Sequence, residues 1–218
     1  MSRRAEAAPT AVARSGDPGP RPGGRVRTPS ADVERSIIDA AERLLEADGT
    51  DALTVRAIAQ AAGVAPMSVY NHLGGKQGVL DALLVRGFDG LAASYADIAT
   101  DDPFEDLAEA GRRYRAYARA HPSHYALMFE RKISDYEPSS PALEHAAEAF
   151  RALEVMVRRA ISAGVLAEGD TTEIAQTIWS AVHGVMSLEL HGIGFCADIP
   201  GYEEATAYAV LRGLRPDA

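Results

Sequence analysis

From residue 30 onward, apolar positions recur three and four residues apart, the spacing that gathers side chains on one face of an α-helix. Val33, Ile37, Ala41, Leu44 and Leu45 form the first stripe, in a helix that Ser30 or Asp32 starts and Gly49 ends. Asp48-Gly49-Thr50-Asp51 reads as a turn, and Leu53 caps a small core. Val55, Ile58, Ala59 and Ala62 form a shorter stripe, with Thr54 as N-cap and Gly63 as the exit residue. Pro66 suits the first turn of the next helix, which runs to Leu73 with Val69 and Leu73 facing inward. Its outward face is then Met67, Ser68, Asn71 and His72, with Tyr70 at the edge. A long helix is predicted from Lys76 to Ile98, carrying Val79, Leu80, Leu83, Leu84, Phe88, Leu91 and Tyr95, with Gly87 and Gly90 as local weak points. Further helices are predicted over Pro103 to Ala120, Pro122 to Glu130, Pro141 to Ala163, Thr172 to Leu190 and Tyr202 to Leu214. Alternating strand patterns and internal repeats are absent from the sequence, so the expected fold class is all-α.

Small residues at Ala57, Ala59, Ala61 and Ala62 let the helix after Gly63 cross closely over the one before it, as in a helix-turn-helix. An ordinary helical hairpin fits the same pattern when that stretch is read alone. Charge sharpens the picture. The chain carries −9 overall, which disfavours a nucleic-acid binder until it is divided. Residues 1 to 80 hold ten Arg or Lys and nine Asp or Glu, a net of +1, whereas residues 81 to 218 hold twelve and twenty-two, a net of −10. The acidity thus lies outside the helix-turn-helix segment. Residues 1–29 are rich in Arg, Ala, Pro and Gly without apolar periodicity and are expected to form a disordered basic arm, suited to phosphates or equally to plain solvent. Arg3-Arg4 is followed by no apolar segment, which argues against a signal peptide. A single cysteine, Cys196, excludes an internal disulfide and is compatible with a reducing cytoplasm. No run of about 20 uninterrupted apolar residues is present, so no membrane span is expected. Ile178 to Phe195, broken by His183, Glu189 and His191, reads as a buried helix.

Gly49 to Leu80, G-T-D-A-L-T-V-R-A-I-A-Q-A-A-G-V-A-P-M-S-V-Y-N-H-L-G-G-K-Q-G-V-L, resembles the N-terminal domain of the TetR family of transcriptional regulators. The resemblance is carried by Thr54, Ile58-Ala59, Ala62-Gly63-Val64, Tyr70-x-His72-Leu73 and Lys76, in order and at the family's spacing. Three positions depart from the family pattern: Ala65 stands where a capping Ser or Thr is usual, Leu73 where Phe is usual, and Gln77 where Glu is common. The resemblance implies a three-helix helix-turn-helix DNA-binding domain over residues 30–75 and a larger helical ligand-binding and dimerisation domain over 76–218. It also implies a homodimer on a palindromic double-stranded operator, acting most simply as a repressor released by a small-molecule effector. Thr54, Tyr70, His72 and Lys76 are the candidates for phosphate contacts, and Arg56 for phosphate or base. Met67, Ser68 and Asn71 are the candidates for base edges, with Pro66 or Met67 against a thymine methyl. Tyr70 and His72 also fit plain packing against the fourth helix.

W-S-A-V-H-G at Trp179, His183 and Gly184, together with H-P-S-H-Y-A-L-M-F at His121 to Phe129, is similar to the Trp-His-Gly type of C-terminal domain in this family. Trp179 and His183 share a helix face, and Gly184 admits a close neighbour. The ligand-pocket candidates are Tyr114, Tyr117, Met128, Phe129, Phe150, Met156, Trp179, His183 and Met186, all of which also fit a plain core. The helices over 172–190 and 202–214 are the expected dimer seam. His121 and His124, and His183 and His191, lack a carboxylate or Cys at recognisable ligand spacing, so neither a metal nor a cofactor is expected. A glycine-rich phosphate loop, a nucleophile elbow and a paired acidic motif are all missing from the sequence, so an enzyme is not expected. The alternative to a regulator is a helical ligand- or partner-binding protein that has lost DNA binding, favoured by Ala65 and the acidic total.

Overall fold

The computed structural model describes residues 30–130, 133–196 and 199–216, the side chains of 199 and 200 excepted. The basic arm expected over 1–29 lies outside them. The described residues form nine α-helices and no strand. They are α1 (Ser30–Asp48), α2 (Val55–Ala62), α3 (Pro66–Leu73), α4 (Lys76–Ala93), α5 (Pro103–Ala120), α6 (Pro122–Tyr125), α7 (Ser140–Ser162), α8 (Thr171–Leu190) and α9 (Ile199–Gly213). A 3-10 turn at Thr50–Ala52 follows α1, and a π-helical turn at Ala126–Glu130 follows α6.

The helix ends obey the local chemistry. Thr54 caps α2 with its hydroxyl, Asp102 caps α5 through Phe104 and Glu105, Ser139 caps α7 and Asp170 caps α8. Two apolar stretches outrun the helices that carry them. The fourth helix stops at Ala93 rather than reaching Ile98, because Ser94 turns its hydroxyl onto Leu91 O at 2.6 Å and the chain bends. Tyr95 and Ile98 still pack inward from that bend, which is why the spacing continues past the helix end. The stretch 178–195 is not one buried helix: α8 ends at Leu190, Gly192 takes φ 66°, and Ile193 and Phe195 are exposed.

One apolar cluster joins the head, α1 to α3, to the body, α4 to α9. Ile37 and Leu45 of α1, Ile58 of α2 and Val69 of α3 pack with Leu80, Leu83 and Leu84 of α4, and the same cluster takes in Leu127, Ala142 and Ala149. Arg86 of α4 adds a polar tie, its Nη2 2.8 Å from Asp39 Oδ1 and its Nη1 paired with Glu42, both on α1. Gly87 and Gly90 prove to be contact points: the Tyr117 hydroxyl donates to Gly87 O at 2.7 Å, and an added Cβ would meet Met128 at Gly87 or Tyr117 at Gly90. A second cluster, with Leu107, Met156, Val157, Ile178 and Leu211, binds α5, α7, α8 and α9 together.

Candidate nucleic-acid interface and effector cavity

The sequence folds α2 and α3 into a crossed pair because Gly63, at φ 68°, ends α2 in the left-handed region and Ala65-Pro66 restarts the chain as α3. Val69 is fully buried beneath α3, while Pro66, Met67, Tyr70 and Asn71 are exposed and Ser68 and His72 half-buried. Thr54 Oγ1 accepts from Ala57 N at 3.2 Å, which leaves the hydroxyl proton for an outside acceptor. No side chain caps α3; its first turn is held by Ser68 N donating to Ala65 O at 2.8 Å. The ring of Tyr70 lies on Gly75, where an added Cβ would come within 2.9 Å of it, yet Tyr70 is 54% exposed. His72 Nδ1 is 3.3 Å from Ser30 Oγ, joining the end of α3 to the start of α1. Exposed Arg56 on α2 and half-buried Lys76 at the start of α4 flank this face, and neither forms an ion pair among the described residues.

Electrostatics at this face are local. Residues 30–76 hold four Arg or Lys against seven Asp or Glu, most of the acids on α1. The described head therefore offers an anion single cations and the open N–H groups at helix starts rather than a net positive charge.

In the body, α4, α5, α7 and α8 line an open-sided cavity of about 330 Å³. Phe88 and Leu91 of α4, Tyr114 of α5, Phe129 of the π-helical turn, Phe150 of α7 and Trp179 of α8 form its wall, and Ala146, Ala147 and Ala149 leave the space. Tyr95 also lines it. Its hydroxyl has no hydrogen-bond partner among the described residues, and burial raises its pKa far above the ordinary phenol value.

Of the residues that the sequence offers as pocket candidates, Tyr114, Phe129, Phe150 and Trp179 line the cavity, and the other five stand elsewhere. Tyr117, three residues from Tyr114, is rotated by about 60° around α5 and spends its hydroxyl on Gly87. Met128 packs against Gly87, Met156 lies in the second cluster, and Met186 is buried under Tyr114 and Tyr125. His183 stands behind the wall. Its Nδ1 is 2.8 Å from the hydroxyls of both Tyr114 and Tyr125. Trp179 Nε1 donates to Tyr114 Oη at 3.4 Å and the Tyr114 hydroxyl to Tyr125 Oη at 3.3 Å, so the indole, both phenols and the imidazole form one polar cluster. The pocket candidates offered by the sequence omit Phe88, Leu91, Tyr95, Leu153, Gln176 and the three alanines; the apolar stripe predicted from Lys76 to Ile98 was the one available signal, and it held Phe88, Leu91 and Tyr95.

Burial lowers the pKa of His183 below the ordinary imidazole value, against a smaller opposing pull from Glu130, so the folded ring is neutral at pH 7. The unfolded chain takes up this proton near pH ~6.5 and the folded chain only below it. The group therefore adds stability that is whole above the unfolded pKa and is lost as pH falls through the window beneath. Denaturant unfolding from about pH 7.5 to about pH 5 should show a steeper loss for the wild type than for His183→Gln. Parallel curves would mean that the folded and unfolded imidazoles take up the proton over the same pH range.

Residues 37–83 match the family model described as bacterial regulatory proteins, tetR family, and residues 107–214 match the tetracyclin repressor-like C-terminal domain. The chain belongs to the TetR family. Trp179, His183 and Gly184 fall inside the second match. An HTH-type transcriptional regulator of Mycobacterium tuberculosis is 28% identical over 179 residues, 80% of this chain and 79% of the relative. A solved structure from Rhodococcus sp. RHA1 superposes with a TM-score of 0.75 at 28% identity, covering 84% of this chain and 96% of that one. The TetR family regulator PfmR from Thermus thermophilus shares the fold, with a TM-score of 0.61 at 22% identity over 83% of this chain and 99% of its own. TetR proteins are DNA-binding transcriptional regulators rather than enzymes; members of the family bind small-molecule effectors and are dimeric. No helix among the described residues is long and apolar enough to cross a membrane.

Proposed function

We propose that this TetR chain is a homodimeric, cytoplasmic repressor that grips a near-palindromic operator through α3 and lets go when an apolar effector enters the body cavity. The observation that carries this reading is the exposed face of α3, with Met67, Tyr70 and Asn71 open and Arg56 and Lys76 on the adjoining helices without an ion pair among the described residues. Lys76, Arg56, Thr54, Tyr70 and His72 serve the phosphates and fix register. Met67, Ser68 and Asn71 meet base edges, and Pro66 presses on a thymine methyl.

A cavity of about 330 Å³ lies at the small end of ligand sites. Its aromatic wall selects an apolar effector, and the free hydroxyl of Tyr95 selects one polar group on it. Phe88 and Leu91 touch the cavity from the helix that begins with Lys76, about 18 Å away along the axis, so an occupant that shifts α4 also shifts the DNA-binding end. Dimerisation through α8 and α9 is supported by apolar groups left open on them and on the segment between: Leu188, Ile193, Phe195 and Tyr202 are all exposed, and a Cβ added at Gly184 would meet nothing within 4 Å among the described residues.

A gel-shift series tests the division of labour. Lys76→Ala should weaken binding about tenfold on every sequence and reduce the slope of affinity against salt by about one. Asn71→Ala and Met67→Ala should instead change which base is preferred, by about 1–3 kcal/mol at single positions. Uniform weakening by all three variants would overturn the assignment.

A further inference from the structure

His121 and His124 lack a carboxylate at metal-binding spacing in the sequence, but the fold brings one to them from α1. Glu46, His121 and His124 each place one ligand atom within 4.8 Å of the others. His121 closes α5 and opens α6, and His124 lies within α6, so the group straddles the joint between reading head and body. His124 is 2% exposed, and neither of its ring nitrogens has a hydrogen-bond partner among the described residues. A buried imidazole left this way loses the partners that water would supply, and a bound cation restores one of them. Its Nε2 stands 3.4 Å from Glu42 Oε1, without hydrogen-bond geometry, while the other oxygen of Glu42 pairs with Arg86. Glu42 thus stands where a carboxylate that orients a metal-bound histidine is usually found.

We infer that Glu46, His121 and His124 form a site for a divalent transition-metal cation of the zinc type. Two imidazoles and one carboxylate suit zinc, with a fourth position for water. Ligands about 2.0–2.2 Å from zinc stand about 3.4 Å from one another, so binding draws the three side chains inward by about an ångström and ties α1 to α6. Glu46 is exposed and His121 partly so, which gives the ion an entry path and lets both side chains move.

The test is calorimetric titration of zinc into the full chain, free of affinity tag and stripped with chelator. One ion per chain is expected, with binding weakened at least about tenfold in Glu46→Gln and in His121→Ala while the melting of the metal-free proteins is unchanged. His124→Ala is avoided because emptying a buried position risks the fold. Absence of stoichiometric binding overturns the inference. So does binding that both variants retain at wild-type affinity, which would place the ion at Cys196 or another exposed group.

Discussion

A Gly78→Ala variant should lose at least about 100-fold in DNA binding and unfold about 3 kcal/mol more easily than the wild type. Gly78 sits in the first turn of α4, and a Cβ there would lie 1.7 Å from the carbonyl oxygen of Leu73 and 2.8 Å from its carbon. Leu73 is the last residue of α3, so the obstacle is backbone, which has no rotamer to escape into. Relief requires the end of α3 to leave α4, taking with it Tyr70, whose ring rests on Gly75, and the position of Lys76. Gly111→Ala in the middle of α5 is the control. Its Cβ would meet only a Val182 methyl at 3.7 Å, so helix propensity should stabilise it by about 0.5–1 kcal/mol. Urea unfolding measures both, and equal stabilities for the two variants would refute the tight α3–α4 elbow.

Leu83→Ala should destabilise the whole chain by about 3 kcal/mol. Leu83 is fully buried on α4 in the cluster that receives Ile37, Ile58 and Val69 from the head and Leu127 and Ala149 from the body. Removing its isobutyl group leaves a hole that both sides share, so head and body should lose stability together. Trp179, the single tryptophan, reports the body by fluorescence, while far-UV circular dichroism reports all helices. The two curves should move together to lower urea with an unchanged slope. If the dichroism alone shifted, head and body would be independent folding units. Leu143→Ala, at a position 53% exposed, should stay within about 0.5 kcal/mol of wild type.

The helix-turn-helix was legible because its limits are written in local chemistry. Thr54, Gly63 and Pro66 each act within a turn of where they stand, and α2 begins and ends, and α3 begins, where those residues place them. The end of α4 was not, since Leu91, Tyr95 and Ile98 keep a helical period through a bend that tertiary packing tolerates. The cavity was legible in kind but not in membership. Tyr114 and Tyr117 are equivalent in sequence, and only the rotation of α5 against α4 sends one to the cavity and the other to Gly87. Gly78 reads as an ordinary helix weakener until Leu73 O is seen beneath it. The group of Glu46, His121 and His124 was beyond reach altogether, because its carboxylate comes from a helix far away in the chain.

Selection of the full chain against random duplex DNA addresses the regulatory reading most directly. An enriched site with two related half-sites about 10 base pairs, or a multiple of this, apart is expected, with the enrichment altered at defined positions by Asn71→Ala. No enriched sequence, with binding that salt abolishes uniformly, would contradict the proposed operator-binding repressor and point to a helical ligand-binding protein whose head no longer reads DNA.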